Sequence, residues 1–549
     1  MKKILLSTII TVALFACKSE TDKTGKTENN KESKSTKTEL EKKITKRDVS
    51  ITAANAYNDI LLDSLAMEKF IVDTKQNDSI IRRMRSFYNA RNYQYAWFAS
   101  DGLTEQARGF WNLQSYYTTI KKDTSVNYKI LTGLMDKLET VEKLNVSTGD
   151  KNILNAEFLL TTHFIKYVIA NYQDGSVKRK ELERFIPLVK RDALSFADSL
   201  LTKKHKDNKY YEDNNAAYKA LKTKLQIYYD AAKNGGWQPI SAGKVSLKNG
   251  SSSPFISQIK KRFYATKDMP ADSTNVYDTQ LQTAVVNFQT SLGLNADGVI
   301  NEALVKEMNV PAIKRIEQIL INMDRMRWMP EPEGNLLLVN IPEFKLQVFE
   351  GKKKAFTMNV VVGKEGHNTM MFKGDLSQIV FSPYWNVTPD IIKEEIMPAM
   401  AKNPNYLASH HMEVTGTSGG IPVVRQLPGE ENSLGKVKFL FPNSFNIYFH
   451  DTPAKSLFSK DKRAYSHGCI RLSEPAKLAE YLLRSQPEWS SDKIAEAMNS
   501  GVEKFVGLKK SVPVIITYYT AWVDENGLLN FRDDIYGHDA LLQKRMFTN

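Results

Sequence analysis

Two short stretches of this chain hold the residue types that nucleophilic chemistry needs: His450-Asp451-Thr452-Pro453 and Ser466-His467-Gly468-Cys469-Ile470-Arg471. The sequence has two cysteines, Cys17 and Cys469. Cys17 closes an N-terminal apolar leader, so Cys469 is the thiol left to the folded body. It follows one histidine by two residues and another by nineteen. A thiol attacks as thiolate, and at its ordinary pKa of about 8.5 it is mostly protonated near neutrality. A neighbouring imidazole can take that proton. Gly468 allows backbone geometry that turns amide N–H groups toward a developing oxyanion.

Residues 445–450, Phe-Asn-Ile-Tyr-Phe-His, alternate apolar and polar as a half-buried strand does. Phe445, Ile447 and Phe449 would face a core, leaving Asn446, Tyr448 and His450 on the other face. His450 then stands at a strand end with its ring toward a cleft. His467 is so near the sulfur that a bend in the chain could direct it away. Spacing favours His450 as the base and His467 as a supporting group. A lone cysteine is more often an inert buried side chain. Here a glycine, a serine and two histidines crowd one thiol, and that favours the nucleophile.

His450, a gap of fifteen residues and Ser466-His467-Gly468-Cys469 together resemble the signature of L,D-transpeptidases with a YkuD-type catalytic domain. The resemblance implies acyl transfer on peptidoglycan stem peptides. Cys469 would be the nucleophile and His450 the proton donor and acceptor. Ser466, His467, Gly468 and the Cys469 N–H would shape the site and oxyanion hole, and Arg471 would pair with a substrate carboxylate. It implies no metal or organic cofactor. Two other readings stay open: an L,D-carboxypeptidase with water as acceptor, and a non-catalytic peptidoglycan-binding lipoprotein.

The elements that must position these residues follow in chain order. Residues 1–16 carry two lysines and a short apolar run, which reads as a secretion signal rather than a spanning helix. Leu14-Phe15-Ala16-Cys17 resembles a bacterial lipobox, with lipidation at Cys17. The expected location is the cell envelope, anchored by lipid and facing the periplasm, with the outer membrane as the expected anchor. Residues 17–50 are rich in Lys, Glu, Thr, Ser and Asn and are expected to form a disordered tether. Net charge is +14, which suits acidic partners. The export signal argues against nucleic acid, and the partners expected instead are peptidoglycan and, through the anchor, the membrane.

Length and a 42% hydrophobic content allow about three or four domains with proper cores. The expected class is multidomain α+β. Residues 51–245 read as a helical domain, beginning with a helix from Ile60-Leu61-Leu62 and including a long apolar stripe over 153–170. Phe87 to Leu103 and Gly235-Gly236-Trp237 resemble the scaffold domain of the larger L,D-transpeptidases. Residues 246–311 resemble a three-helix peptidoglycan-binding module, with Asp297-Gly298 as the turn before its last helix. The β-rich catalytic domain is assigned to 312–525 and a C-terminal appendage to 526–549. Where relatives carry Thr-Pro in a loop before the site, this chain has Thr369-Met370, a departure that bears on the loop and not on the chemistry. Residues 387–434 form an insertion with a helix and a Gly/Ser/Pro-rich loop over 415–429, expected to cap the site.

Overall fold

The computed structural model describes residues 44–121, 126–139, 146–171, 185–202, 215–241, 243–330 and 334–548. The leader, Cys17 and the tether up to residue 43 lie outside the described residues. By Thr45 the chain is already held on the scaffold, since its N–H donates to Ser86 Oγ and the Asp48 N–H donates to the Asn89 carbonyl.

The scaffold helices begin where short polar side chains can take up free backbone N–H groups. Asp63 caps the helix Ser64–Thr74 and Asn77 caps Asp78–Ala90. The first helix therefore starts after Leu62, not at Ile60 as its apolar run suggested. Helix Lys151–Asn171 carries Phe158, Leu159, Phe164, Ile165 and Val168 into the core, the stripe read from the sequence. Trp97 fills the centre of that core against Phe110, Phe164 and Trp328.

The domain limits at 312 and 526 need correction. Helix Ala312–Met326 puts Ile316, Ile319, Leu320 and Met323 into the scaffold core, not the catalytic one. Residues 526–549 are not an appendage, because Leu529, Phe531, Leu542, Met546 and Phe547 are buried in the same core. Apolar burial decides both cases: the scaffold core covers the main apolar face of each segment, and Ile535 and Tyr536 pack against the catalytic core. The chain thus enters and leaves the catalytic domain through the scaffold. Arg325 joins the two ends, pairing with Glu105 at 2.8 Å and Asp539 at 2.5 Å.

The small module packs helices Pro254–Ala265, Thr279–Ser291 and Glu302–Met308 around Ile259, Phe263, Leu281 and Phe288. Gln289 holds the Asp297-Gly298 turn. Its side chain donates to Asp297 Oδ1 and the Val299 carbonyl and accepts from the Gly298 N–H.

The catalytic domain is built on β1 (Asn335–Asn340), β2 (Lys345–Glu350), β3 (Lys353–Gly363) and β4 (Lys373–Phe381). There follow β5 (Trp385–Asn386), β6 (Met412–Ser418), β7 (Ile421–Gln426), β8 (Val437–Leu440) and β9 (Phe449–His450). The last strands are β10 (Ala464–Ser466), β11 (Ile470–Leu472) and β12 (Lys504–Thr517). The ladder runs β3-β11-β9-β8-β4-β12-β1-β2, and β2 pairs back onto β3, so the sheet closes on itself. Closure gives each strand of this ring two neighbours that fix its register, and β10 pairs with β3 as the sheet's ninth strand and its edge. Leu337, Val339 and Ile341 face the barrel's core, while Leu336 and Leu338 pack with Tyr116 of the scaffold. The strand's alternation is real, but both of its faces are buried.

The insertion between β4 and β8 is a unit with its own core of Val387, Ile392, Ile396 and Val424. Its helical part contains a π-helical turn, Ile392–Ile396, between Pro389–Ile391 and Met397–Lys402. The stretch read as a Gly/Ser/Pro-rich loop is mostly the β6–β7 hairpin, which turns at Gly419-Gly420.

Candidate active site

The pleat of two short parallel strands assembles the site. β9 and β11 pair with Phe449 opposite Ile470 and His450 opposite Arg471. Side chains alternate across a strand. Phe449, Ile470 and Leu472 enter the barrel core, so Tyr448, His450, Cys469 and Arg471 share the opposite face. The regular part of the expected strand over 445–450 is confined to its last two residues. Asn443 binds the N–H groups of Phe445 and Ile447, and Asn446 takes a left-handed conformation with φ 55°. The alternation nevertheless survives, with Ile447 and Phe449 inside.

His450 is buried, and its Nδ1 lies 2.5 Å from the Asp451 carbonyl oxygen. A carbonyl only accepts, so Nδ1 carries the proton and Nε2 keeps its lone pair. Burial, reinforced by the positive charge of Arg471, pushes the imidazole down to about 3. Burial pushes the Cys469 thiol up to about 11, opposed by the Tyr448 backbone and hydroxyl and by Arg471. The resting pair is therefore neutral thiol and neutral imidazole. Among the described residues no hydrogen bond joins them; the thiol points to the Asn446 carbonyl at 3.6 Å. Catalytic hydrogen bonds that are long or absent without substrate are common.

Gly468 has φ 108°, a conformation that side-chain-bearing residues rarely adopt. Its N–H donates to Ser466 Oγ at 3.2 Å, and that hydroxyl donates in turn to the Cys469 carbonyl at 2.5 Å. Ser466 thus closes the turn around the nucleophile, and the Gly468 N–H is spent on it. The Gly468 carbonyl accepts from Thr369 Oγ1 at 2.7 Å, and Thr369 Oγ1 accepts from the Gly363 N–H at 2.9 Å. Tyr536, from the C-terminal segment, donates to the Gly363 carbonyl at 2.6 Å.

Residues 334–516 match the family described as L,D-transpeptidase catalytic domain (YkuD). That stretch is similar to L,D-transpeptidase catalytic domains. Residues 82–225 match the family described as "Scaffold domain", and residues 252–308 match the family described as "Putative peptidoglycan binding domain". A protein of Haemophilus influenzae named "Putative L,D-transpeptidase" is 31% identical over 250 residues, which cover 43% of this chain and 49% of that protein. The match therefore spans about half the relative's length. Among solved structures, an L,D-transpeptidase from Mycobacterium smegmatis is 16% identical, covering 33% of this chain and 58% of that one, with TM-score 0.19. One from Stackebrandtia nassauensis is 14% identical, covering 49% and 94%, with TM-score 0.21. These two superpositions are too poor to carry an argument.

Within the matched region, Arg471 keeps its Nε buried with no hydrogen-bond partner among the described residues. The residue is half-buried, so its charge stands beside the thiol with this one nitrogen unsatisfied. His467 turns away toward the insertion, where its Nε2 meets Glu395 Oε1 of the π-helical turn at 2.8 Å. Five residues at this site were not assigned from the sequence: Tyr448, Thr369, Glu395, Gly363 and Tyr536. Tyr448 was placed on the right face but given no role, although the alternation set it beside His450. Thr369 and Glu395 reach the motif from about a hundred and about seventy residues away, and nothing local to either announces it.

The Glu395 contact is half-exposed, and pairs of that kind contribute about 0–1 kcal/mol. Glu395→Gln should therefore raise KM for a stem peptide by no more than about fivefold, with kcat little changed. Steady-state kinetics check this. A much larger loss in kcat would make Glu395 part of the chemistry and not a contact of the insertion.

Proposed function

We propose that the protein is a cysteine-dependent L,D-transpeptidase that cross-links peptidoglycan stem peptides. The observation that carries this reading is the face shared by Cys469, His450, Arg471 and Tyr448 in a domain of the transpeptidase family. His450 Nε2 takes the thiol proton as Sγ bonds to the carbonyl carbon between the third residue of the stem and its terminal D-alanine. The carbonyl oxygen becomes an oxyanion, facing the Cys469 N–H. Collapse breaks the C–N bond, and the proton on His450 goes to the departing D-alanine amine. An amine of a neighbouring stem then attacks the thioester, gives its proton to His450 and frees the thiol.

Arg471 gives the sequence an order. While unpaired it disfavours imidazolium at His450. A donor carboxylate bound to Arg471 cancels that repulsion, so the base strengthens as the donor arrives. The insertion over 387–434, touching His467 through Glu395, acts as a cap that limits acceptor access.

Incubation with a tetrapeptide stem should add the mass of the stem less D-alanine to Cys469, detected by intact-protein mass spectrometry. Absence of this adduct under conditions where a small β-lactam acylates Cys469 would remove stem peptides as donors. Released products separate amine from water as acceptor.

The same reading places the enzyme in the cell envelope, supported by the leader and the lipobox-like end at Cys17. Cys17→Ser should move the protein from the membrane to the soluble fraction; unchanged fractionation excludes the anchor.

A further inference from the structure

A cavity of about 550 Å³ lies where the three-helix module, the β1–β2 turn and the C-terminal segment meet. It contains none of Cys469, His450, His467 or Arg471. Its volume is that of a site for a small ligand or a peptide of a few residues. Most of the charges on its wall are already paired. Arg315 meets Glu307 at 2.8 Å, Lys462 meets Asp533 at 2.6 Å and Lys345 lies 3.8 Å from Glu343. Lys306 and Asp461, also on the wall, are of opposite sign, and Asp461 acts on the charge of Arg463.

Arg463 and Arg532 are different. Neither has a carboxylate within ion-pair distance among the described residues. Arg463 is buried and its guanidinium donates to the carbonyls of Val360, Lys460 and Phe344, so it is held rigidly by neutral acceptors. Arg532 donates through Nη1 to the carbonyls of Ser291 and Phe531, and among the described residues Nε and Nη2 have no hydrogen-bond partner. It stacks on Trp522 at 5.0 Å and lies directly over Gly293, where an added Cβ would come within 2.6 Å of the guanidinium. The absence of a side chain at Gly293 is thus what admits Arg532 to the cavity wall. Burial lowers the pKa of both arginines; Glu343 opposes this at both, together with Asp461 at Arg463 and Asp533 at Arg532, while Arg463 adds to the lowering at Arg532. Arg532, with no ion pair of its own among the described residues and with Nε and Nη2 not engaged, offers a planar fork suited to a carboxylate from outside. Arg463, held by Val360, Lys460, Phe344 and Asn359, adds a fixed positive charge beside it.

We propose that this cavity is a second binding site, separate from the thiol, for a carboxylate-bearing stem peptide, with Arg532 and Arg463 as its anion-binding pair. This rests on the peptidoglycan reading above. The cavity touches module and catalytic domain at once, so an occupied site would hold one stem of the polymer while the thiol works on another.

The test is calorimetric titration of the full-length Cys469→Ser protein with a tetrapeptide stem, which binds without reacting. Two classes of site are expected. Arg532→Gln in that background should weaken one class by on the order of tenfold or more and leave the other, while Arg532→Lys should weaken it less. Because Arg532 also packs on Gly293, a second measurement uses the unmutated protein. The stem should protect Arg532 from phenylglyoxal, as mapped by peptide mass spectrometry. Inorganic phosphate should protect less than the stem does. A single class of site with no protection of Arg532 overturns the proposal, as does protection by phosphate alone. Two classes without acylation of native Cys469 would instead remove the catalytic reading and leave this site standing.

Discussion

His450→Ala is expected to slow acylation of Cys469 by on the order of 10²–10⁴-fold, the usual cost of losing a general base. The geometry explains why so much depends on one ring. The Asp451 carbonyl fixes the Nδ1 proton, leaving Nε2 as the basic nitrogen of the imidazole. With the thiol at about 11, the thiolate fraction at pH 7 is only on the order of 10⁻⁴. Direct ionisation is therefore a poor substitute for proton transfer during attack. The sign of the pH dependence follows. His450 has its pKa lowered to about 3, so it is a free base across the neutral range and loses that form only in acid. Alkylation of the wild-type thiol by iodoacetamide should be nearly flat between about pH 5 and 9. In His450→Ala it should climb about tenfold per pH unit toward the thiol's own pKa. A flat profile that survives His450→Ala and disappears in His467→Ala would make His467 the base.

Gly363→Ala is expected to be nearly as damaging. A Cβ there would lie 1.9 Å from the His367 carbonyl oxygen and 2.9 Å from the Thr369 amide nitrogen. Both are backbone atoms, so a rotamer change cannot relieve the clash. The loop over 364–369 must move, and with it Thr369, which holds the Gly468 carbonyl. Displacing a catalytic group by about 1 Å can cost about 10²-fold in rate. Overpacking of this type also destabilises by about 1–3 kcal/mol. Acylation rate and thermal unfolding, measured together, check both parts. A variant that is destabilised but acylates at the normal rate would show that the loop supports folding and not the nucleophile.

The two largest expected effects thus come from residues with different visibility in the sequence. His450 could be picked out from spacing and alternation, because a strand's period of two is local information. Gly363 could not. Its requirement for glycine comes from a loop that doubles back on it, and its hydrogen bonds reach Thr369 and Tyr536.

The same division runs through the molecule. Local chemistry fixed the motif around Cys469, the long stripe of helix Lys151–Asn171 and the Asp297-Gly298 turn. In each, the residues that interact lie within a few positions or on one periodic face. Closure of the barrel, the docking of helix Ala312–Met326 and of the C-terminal segment into the scaffold core, and the neutral state of the thiol were decided by tertiary structure. An amphipathic segment specifies that it must bury a face, but not which partner will cover it. A histidine near a cysteine specifies a possible proton acceptor, but burial and the charge of Arg471 set whether the proton has already moved. Those depend on the whole barrel around β9 and β11, since desolvation is a property of everything packed about a group and not of its neighbours in the chain.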